Sequence, residues 1–131
     1  MRVHEVLPSL QAAMASAGLA HAAAIEVNGL VFLSGLTAFD MSTGRLGEGP
    51  FRADAQQTIA VLRAVLSDIR LNLDNVIKVN AYLKEPGDFS EWNEIYQTAF
   101  RAPRPCRTSV GSPLVVGLIE LDVVASLEAR V

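Results

Sequence analysis

Between residues 51 and 83 the spacing of apolar side chains changes from a helical period to a strand period, and few folds can use that switch. Ala55, Ile59, Leu62, Leu66 and Ile69 recur at steps of four and three, which sets them on one stripe of a helix over residues 51–71. Arg52, Gln56, Arg63 and Arg70 fall off the stripe. Over residues 75–83 the apolar positions alternate instead, with Ile77, Val79, Ala81 and Leu83 on one face and Lys78, Asn80 and Tyr82 on the other. A long amphipathic helix leading into a strand with one polar face predicts a sheet covered by helices on one side.

The flanking sequence extends this pattern. Asn28-Gly29 stands between the apolar runs 24–27 and 30–34, and a tight hairpin turn needs the positive φ that these two residues tolerate. Ahead of the hairpin, Val6, Leu7, Leu10, Ala13 and Met14 have helical spacing over residues 5–17, with Gly18 as a stop and Pro8 near the start. The glycine-rich stretch 37–50 reads as a loop with a short strand around Arg45-Leu46. Pro86-Gly87-Asp88 breaks the later strand, and Asp88, with Glu91 three residues on, is a helix-cap signal. The second long helix presents Phe89, Trp92, Tyr96 and Phe100, with Asn93 on the flank of that aromatic face.

The proline-rich segment 102–105 then delivers the chain into a strand where Arg107, Ser109 and Gly111 point one way and Cys106, Thr108 and Val110 the other. A last strand over 115–127 alternates Ile119, Leu121, Val123 and Ala125 against Leu118, Glu120, Asp122 and Val124. The expected class is α+β: one mixed sheet with both long helices on one face, residues 1–20 as an N-terminal helical extension and 21–131 as a single domain. The other sheet face still carries semi-apolar side chains. A symmetric partner is the simplest cover.

Half of the 131 residues are hydrophobic and 19% are charged, a balance that predicts an ordered, core-forming chain. A net charge of −3 gives no electrostatic footprint for nucleic acid. With one cysteine, Cys106, no intrachain disulfide can form, and the two histidines, His4 and His21, lack metal-ligand spacing. Gly44, Gly47 and Gly49 form neither a dinucleotide fingerprint nor a phosphate loop. No metal or cofactor is expected. No signal peptide or membrane span is read in the chain, and a reducing cytoplasm is the expected setting.

Arg107 is the residue with the most distinctive chemistry. A guanidinium grips a carboxylate through two parallel hydrogen bonds, so Arg107 in a cleft points to a small organic acid as ligand. The competing reading is a structural ion pair with Glu120 or Asp122. Ser34, likewise, is either a site residue or a satisfier of strand-end backbone groups, and Asn93 either a site residue or an ordinary polar side chain.

The order and spacing of several short motifs resemble the RidA (YjgF/YER057c/UK114) family. These are Val31-Phe32-Leu33-Ser34-Gly35, Asp40 with Thr43-Gly44, Gln57-Thr58, and Asp74-Asn75-Val76-Ile77-Lys78-Val79. Asp88-Phe89 with Asn93-Glu94 and Tyr96, Pro105 with Arg107-Thr108, and Ile119-Glu120 complete the set. The resemblance runs from about Ala22 to the C-terminus. It implies a chorismate-mutase-like fold and a homotrimer whose sheets close a central barrel, with clefts between subunits. It further implies cofactor-free hydrolysis of 2-imino acids, formed from 2-aminoacrylate and its homologues, to 2-keto acids and ammonia. On that basis Arg107 would bind the substrate carboxylate and Glu120 would orient or deprotonate water. Ser34, Asn93, Tyr96, Cys106 and His21 would line the substrate.

The chain departs from the family pattern where the wall of the cleft would be. His21 stands at the usual tyrosine, after Ala20 at the usual proline; Leu36 stands where glutamine often follows Ser-Gly; and Cys106 and Ser109 flank Arg107-Thr108. Histidine ordinarily titrates near neutrality, so His21 is either an additional acid–base group or a space-filler. An altered wall leaves three further readings open: a deaminase for a larger, aminomuconate-like enamine, a non-catalytic ligand-binding or chaperone-like protein, and a ribonuclease, against which the acidic balance argues.

Overall fold

The computed structural model describes residues 1–16 and 18–131, and for Ala13 the backbone alone. Its elements in chain order are β1 (Arg2–His4), α1 (Pro8–Ser16), β2 (Ala24–Val27), β3 (Leu30–Leu33), β4 (Leu36–Thr37), α2 (Phe51–Asp68), β5 (Val76–Leu83), α3 (Phe89–Ala99), β6 (Cys106–Gly111) and β7 (Ile119–Ser126). They form one seven-stranded sheet in the order β1-β2-β3-β7-β5-β6, with β4 also paired to β7. Only β5 and β6 run parallel. This is the mixed α+β architecture expected from the sequence.

The predicted hairpin forms at Asn28-Gly29, with φ of 51° and 78° at the turn. The stripe of α2 and the aromatic face of α3 meet the sheet, where Leu62, Leu66, Leu83, Trp92, Phe100, Ile119 and Leu121 are fully buried. Other expectations are corrected by local geometry. Helix α2 ends at Asp68 rather than Leu71, because Arg70 turns left-handed (φ 63°) and the Leu71 N–H reaches back to the Leu66 carbonyl. A register shift between Val76 and Lys78 puts Val76, not Ile77, in the core. Asp88 makes no side-chain cap; it closes a 3-10 turn, and desolvation with Glu91 and Glu85 nearby holds its carboxyl above the usual range.

At the N-terminus the sequence pattern concealed β1, which pairs antiparallel with β2, and α1 is correspondingly shorter than the predicted helix, whose residue Ala17 lies outside the described residues. Around Arg45-Leu46 only a single bridge, Phe39 to Leu46, replaces the expected strand. The last strand begins at Ile119 rather than Val115. No described helix is long and apolar enough to cross a membrane.

The C-terminal tail is pinned by Arg130. Its guanidinium donates to the carbonyls of Pro103 (2.6 Å), Leu73 (2.7 Å) and Val76, joining the tail to the start of β5 and to the loop that leads into β6. Replacing Arg130 with alanine strands these acceptors, and the expected loss is about 2–4 kcal/mol, a fall in melting midpoint of roughly 6–15 °C by calorimetry.

Candidate active site

Strand β6 is an edge strand, paired only with β5, and its register fixes which way its side chains look. Arg107 lies opposite Val79 and Ser109 opposite Ala81, so both face the helices; the alternation had predicted only that they share a face. Ser109 Oγ accepts a hydrogen bond from Trp92 Nε1 at 3.2 Å, which ties the strand to α3. Arg107, half-buried, reaches the same helix. Its Nη1 donates to Asn93 Oδ1 at 2.9 Å, and its Cζ lies 4.5 Å from the Tyr96 ring centre and 5.4 Å from that of Phe89.

Among the described residues Asn93 is the one hydrogen-bond partner of this guanidinium, and no carboxylate lies within ion-pair distance. The structural ion pair with Glu120 or Asp122 is therefore absent, and for a topological reason. Tyr82 pairs with Glu120 and Asn80 with Asp122, on the sheet face away from the helices. A half-buried guanidinium with no carboxylate partner among the described residues has the chemistry to receive an anion.

Tyr96 is buried, its hydroxyl donating to the Pro105 carbonyl at 3.0 Å and its ring packed at a tilt against Trp92 and Phe100. Burial raises its phenol pKa, and the Arg107 charge only partly offsets that. Tyr96 thus stands behind Arg107 within the core, not open to a substrate in this chain.

Glu120 occupies a different place. Its carboxylate rests against the main chain of Gly35, where an added Cβ would come within 2.3 Å of Oε1. The chain bulges here: from Phe32 to Leu36 it spans four steps while β7 spans three, from Val124 to Leu121. Ser34 sits in the bulge and donates from Oγ to the Ala22 carbonyl at 2.6 Å, so the strand-end role is filled while the oxygen keeps lone pairs to accept.

Ser34 and His21 line a largely apolar cleft of about 60 Å³ beneath α1, whose walls include Leu10, Met14, Leu36 and Val65. Cys106, exposed, faces away from Arg107, in register with Lys78, while Lys78 Nζ donates to Thr108 Oγ1 at 3.2 Å. In one chain, then, the expected residues fall into separate groups: Arg107, Asn93 and Tyr96; Ser34 and His21, with Glu120 resting against the neighbouring Gly35; and Cys106. No three His, Cys, Asp or Glu side chains cluster to hold a metal among the described residues.

The sequence pattern of the family described as Endoribonuclease L-PSP matches residues 4–127. The chain belongs to the RidA (YjgF/YER057c/UK114) family. Within that family it is 36% identical over 107 residues to a RutC family protein of Aquifex aeolicus, covering 78% of this chain and 84% of the relative. It is 32% identical over 88 residues to the 2-iminobutanoate/2-iminopropanoate deaminase of Dermatophagoides farinae, covering 67% and 69%. The crystal structure of RidA from the Antarctic bacterium Psychrobacter sp. superposes with a TM-score of 0.76 at 30% identity, over 81% of this chain and 87% of that one. The matched region begins at His4, the last residue of β1, and so takes in α1 ahead of the hairpin.

The aromatic setting of Arg107 was not anticipated from the motifs. Its signal was present nonetheless: Phe89, Asn93 and Tyr96 stand at i, i+4 and i+7, one stripe of α3.

Proposed function

We propose that this RidA family member is a hydrolytic deaminase of enamine and imine intermediates, of the 2-aminoacrylate/2-iminopropanoate and 2-iminobutanoate class, releasing 2-keto acids and ammonia. The observation that carries the reading is Arg107: a charge on an edge strand, backed by Asn93 and Tyr96, with no acidic partner among the described residues. The deaminase name of a relative supports the same chemistry.

The reaction needs little apparatus. Arg107 holds the carboxylate and so places the imine carbon. Glu120 takes a proton from water as its oxygen adds to that carbon, giving a carbinolamine. That proton is handed to the imine nitrogen to complete the carbinolamine; the hydroxyl proton then follows it to nitrogen through Glu120, the carbon–nitrogen bond breaks, and the electron pair leaves with ammonia while the deprotonated oxygen becomes the keto oxygen. Water is the sole co-reactant.

Arg107 and Glu120 lie on opposite faces of one sheet. A small imino acid meets both only if they come from different subunits. In the proposed homotrimer the open sheet face, with Phe32 and Val110 each more than two-fifths exposed, packs against neighbouring copies, and each cleft takes Arg107 from one subunit and Glu120 from the next. The cleft under α1 favours a second reading of the substrate, a larger enamino acid whose apolar part enters beside Ser34 and His21.

A coupled assay tests the reaction. An amino-acid oxidase generates 2-iminopropanoate, 2-iminobutanoate and a bulkier series in situ, and imine loss is followed with and without the protein. Faster loss is expected; acceleration confined to bulky imines favours the second reading. No acceleration with any of them overturns catalysis and leaves a ligand-binding role.

A further inference from the structure

We propose that Phe89 is a positioning residue that holds the Arg107 guanidinium ready for a carboxylate; this rests on the reading that Arg107 binds the substrate acid. Phe89 opens α3 and is 43% exposed, whereas Trp92, Tyr96 and Phe100 farther along the helix are buried. The core does not account for an exposed phenyl ring. Its contact with Arg107 does: the ring centre lies 5.4 Å from Cζ, within the reach at which a π face attracts a cation.

The other two contacts of the guanidinium are fixed independently. Tyr96 is locked by its bond to the Pro105 carbonyl and by tilted contacts with Trp92 and Phe100, and Asn93 accepts from Nη1. Phe89 supplies the exposed side of the mount. Without it the arginine, on an edge strand with no ion pair among the described residues, keeps its freedom to swing toward water. Ligand binding must then order it, and affinity falls. Aromatic stacking also displaces water from part of the guanidinium, which strengthens the hydrogen bonds it makes at its edge. The stripe Phe89, Asn93 and Tyr96 on α3 thus orients a side chain that belongs to β6.

Calorimetric titration with 2-oxobutanoate, the keto acid left by 2-iminobutanoate hydrolysis, tests this beside steady-state kinetics. Phe89→Ala is expected to raise Kd and KM about threefold to thirtyfold, with kcat within about twofold of wild type and the melting midpoint nearly unchanged. Phe89→Tyr should restore the affinity and Phe89→Leu should not, which separates the π face from mere bulk. Unchanged Kd and KM in Phe89→Ala, full rescue by leucine, or a loss confined to kcat overturns the proposal. If wild type binds 2-oxobutanoate but hydrolyses no imine, the deaminase reading fails while the Kd series still decides the role of Phe89. If wild type binds no keto acid, both fall.

Discussion

Replacing Arg107 with alanine is expected to reduce kcat/KM for imino acids by about a hundredfold or more, since two charge-assisted hydrogen bonds to the carboxylate are lost together. The same variant should bind 2-oxobutanoate too weakly to titrate. The fold should survive. Arg107 is half-buried, it contributes one side-chain hydrogen bond, to Asn93, and its removal opens the edge of the molecule rather than a sealed cavity. The melting midpoint should therefore fall by no more than about 5 °C. Arg107→Lys should recover little, because an ammonium is a point charge that cannot span both carboxylate oxygens and stacks poorly between rings. A fully active Arg107→Ala protein would remove the carboxylate receptor from the mechanism.

Glu120→Gln should act on the other half of the reaction. The amide keeps the shape of the carboxylate but cannot take a proton from water, so kcat should fall about 10²- to 10⁴-fold while KM and the 2-oxobutanoate Kd stay near wild type. Unchanged turnover would exclude Glu120 as the base. The two variants also test each other. Their residues lie on opposite faces of the sheet, so a site shared between subunits can be rebuilt by mixing. In a ring assembled at random from equal amounts of the two proteins, about a quarter of the sites combine an intact Arg107 with an intact Glu120. Activity returning toward that fraction after co-refolding, from two nearly dead parents, is the expected outcome; none returning would place both residues of a site in one subunit or in none.

Much of this architecture was legible before any coordinates. The change of apolar period at residues 51–83, the Asn28-Gly29 turn and the alternation in the last two strands fix α2, β5, β6, β7 and the hairpin, because each rests on side-chain burial with a definite period. That Arg107 and Ser109 share a face followed from the same alternation, and the pairing with β5 shows that it is the helix face. What stayed hidden depended on pairing or on local backbone geometry. Strand β1 is three residues long, too short to show a period, and it is a strand only because β2 lies beside it. The bulge that puts Val76 in the core in place of Ile77 leaves no mark in composition.

The sequence nominates candidate site residues but not their places. Family motifs nominate Arg107, Glu120, Ser34, Asn93, Tyr96, Cys106 and His21, but a list carries no faces. Strand parity does: it already separated Cys106 from Arg107 on one strand. That Glu120 and Arg107 diverge required knowing that β5 lies between their strands, which topology alone supplies.

Gly35 is the counterpart that gives Glu120 its seat. An acid side chain laid against bare main chain is possible only where the neighbour has no Cβ, so the glycine and the glutamate form one device read at two positions. Among sequences that share this fold, a glutamate at the second position says little when the first bears a side chain, for the carboxylate must then lie elsewhere. The pair, rather than the acid alone, is the mark by which to sort the chains that keep this arrangement from those that have only inherited its scaffold.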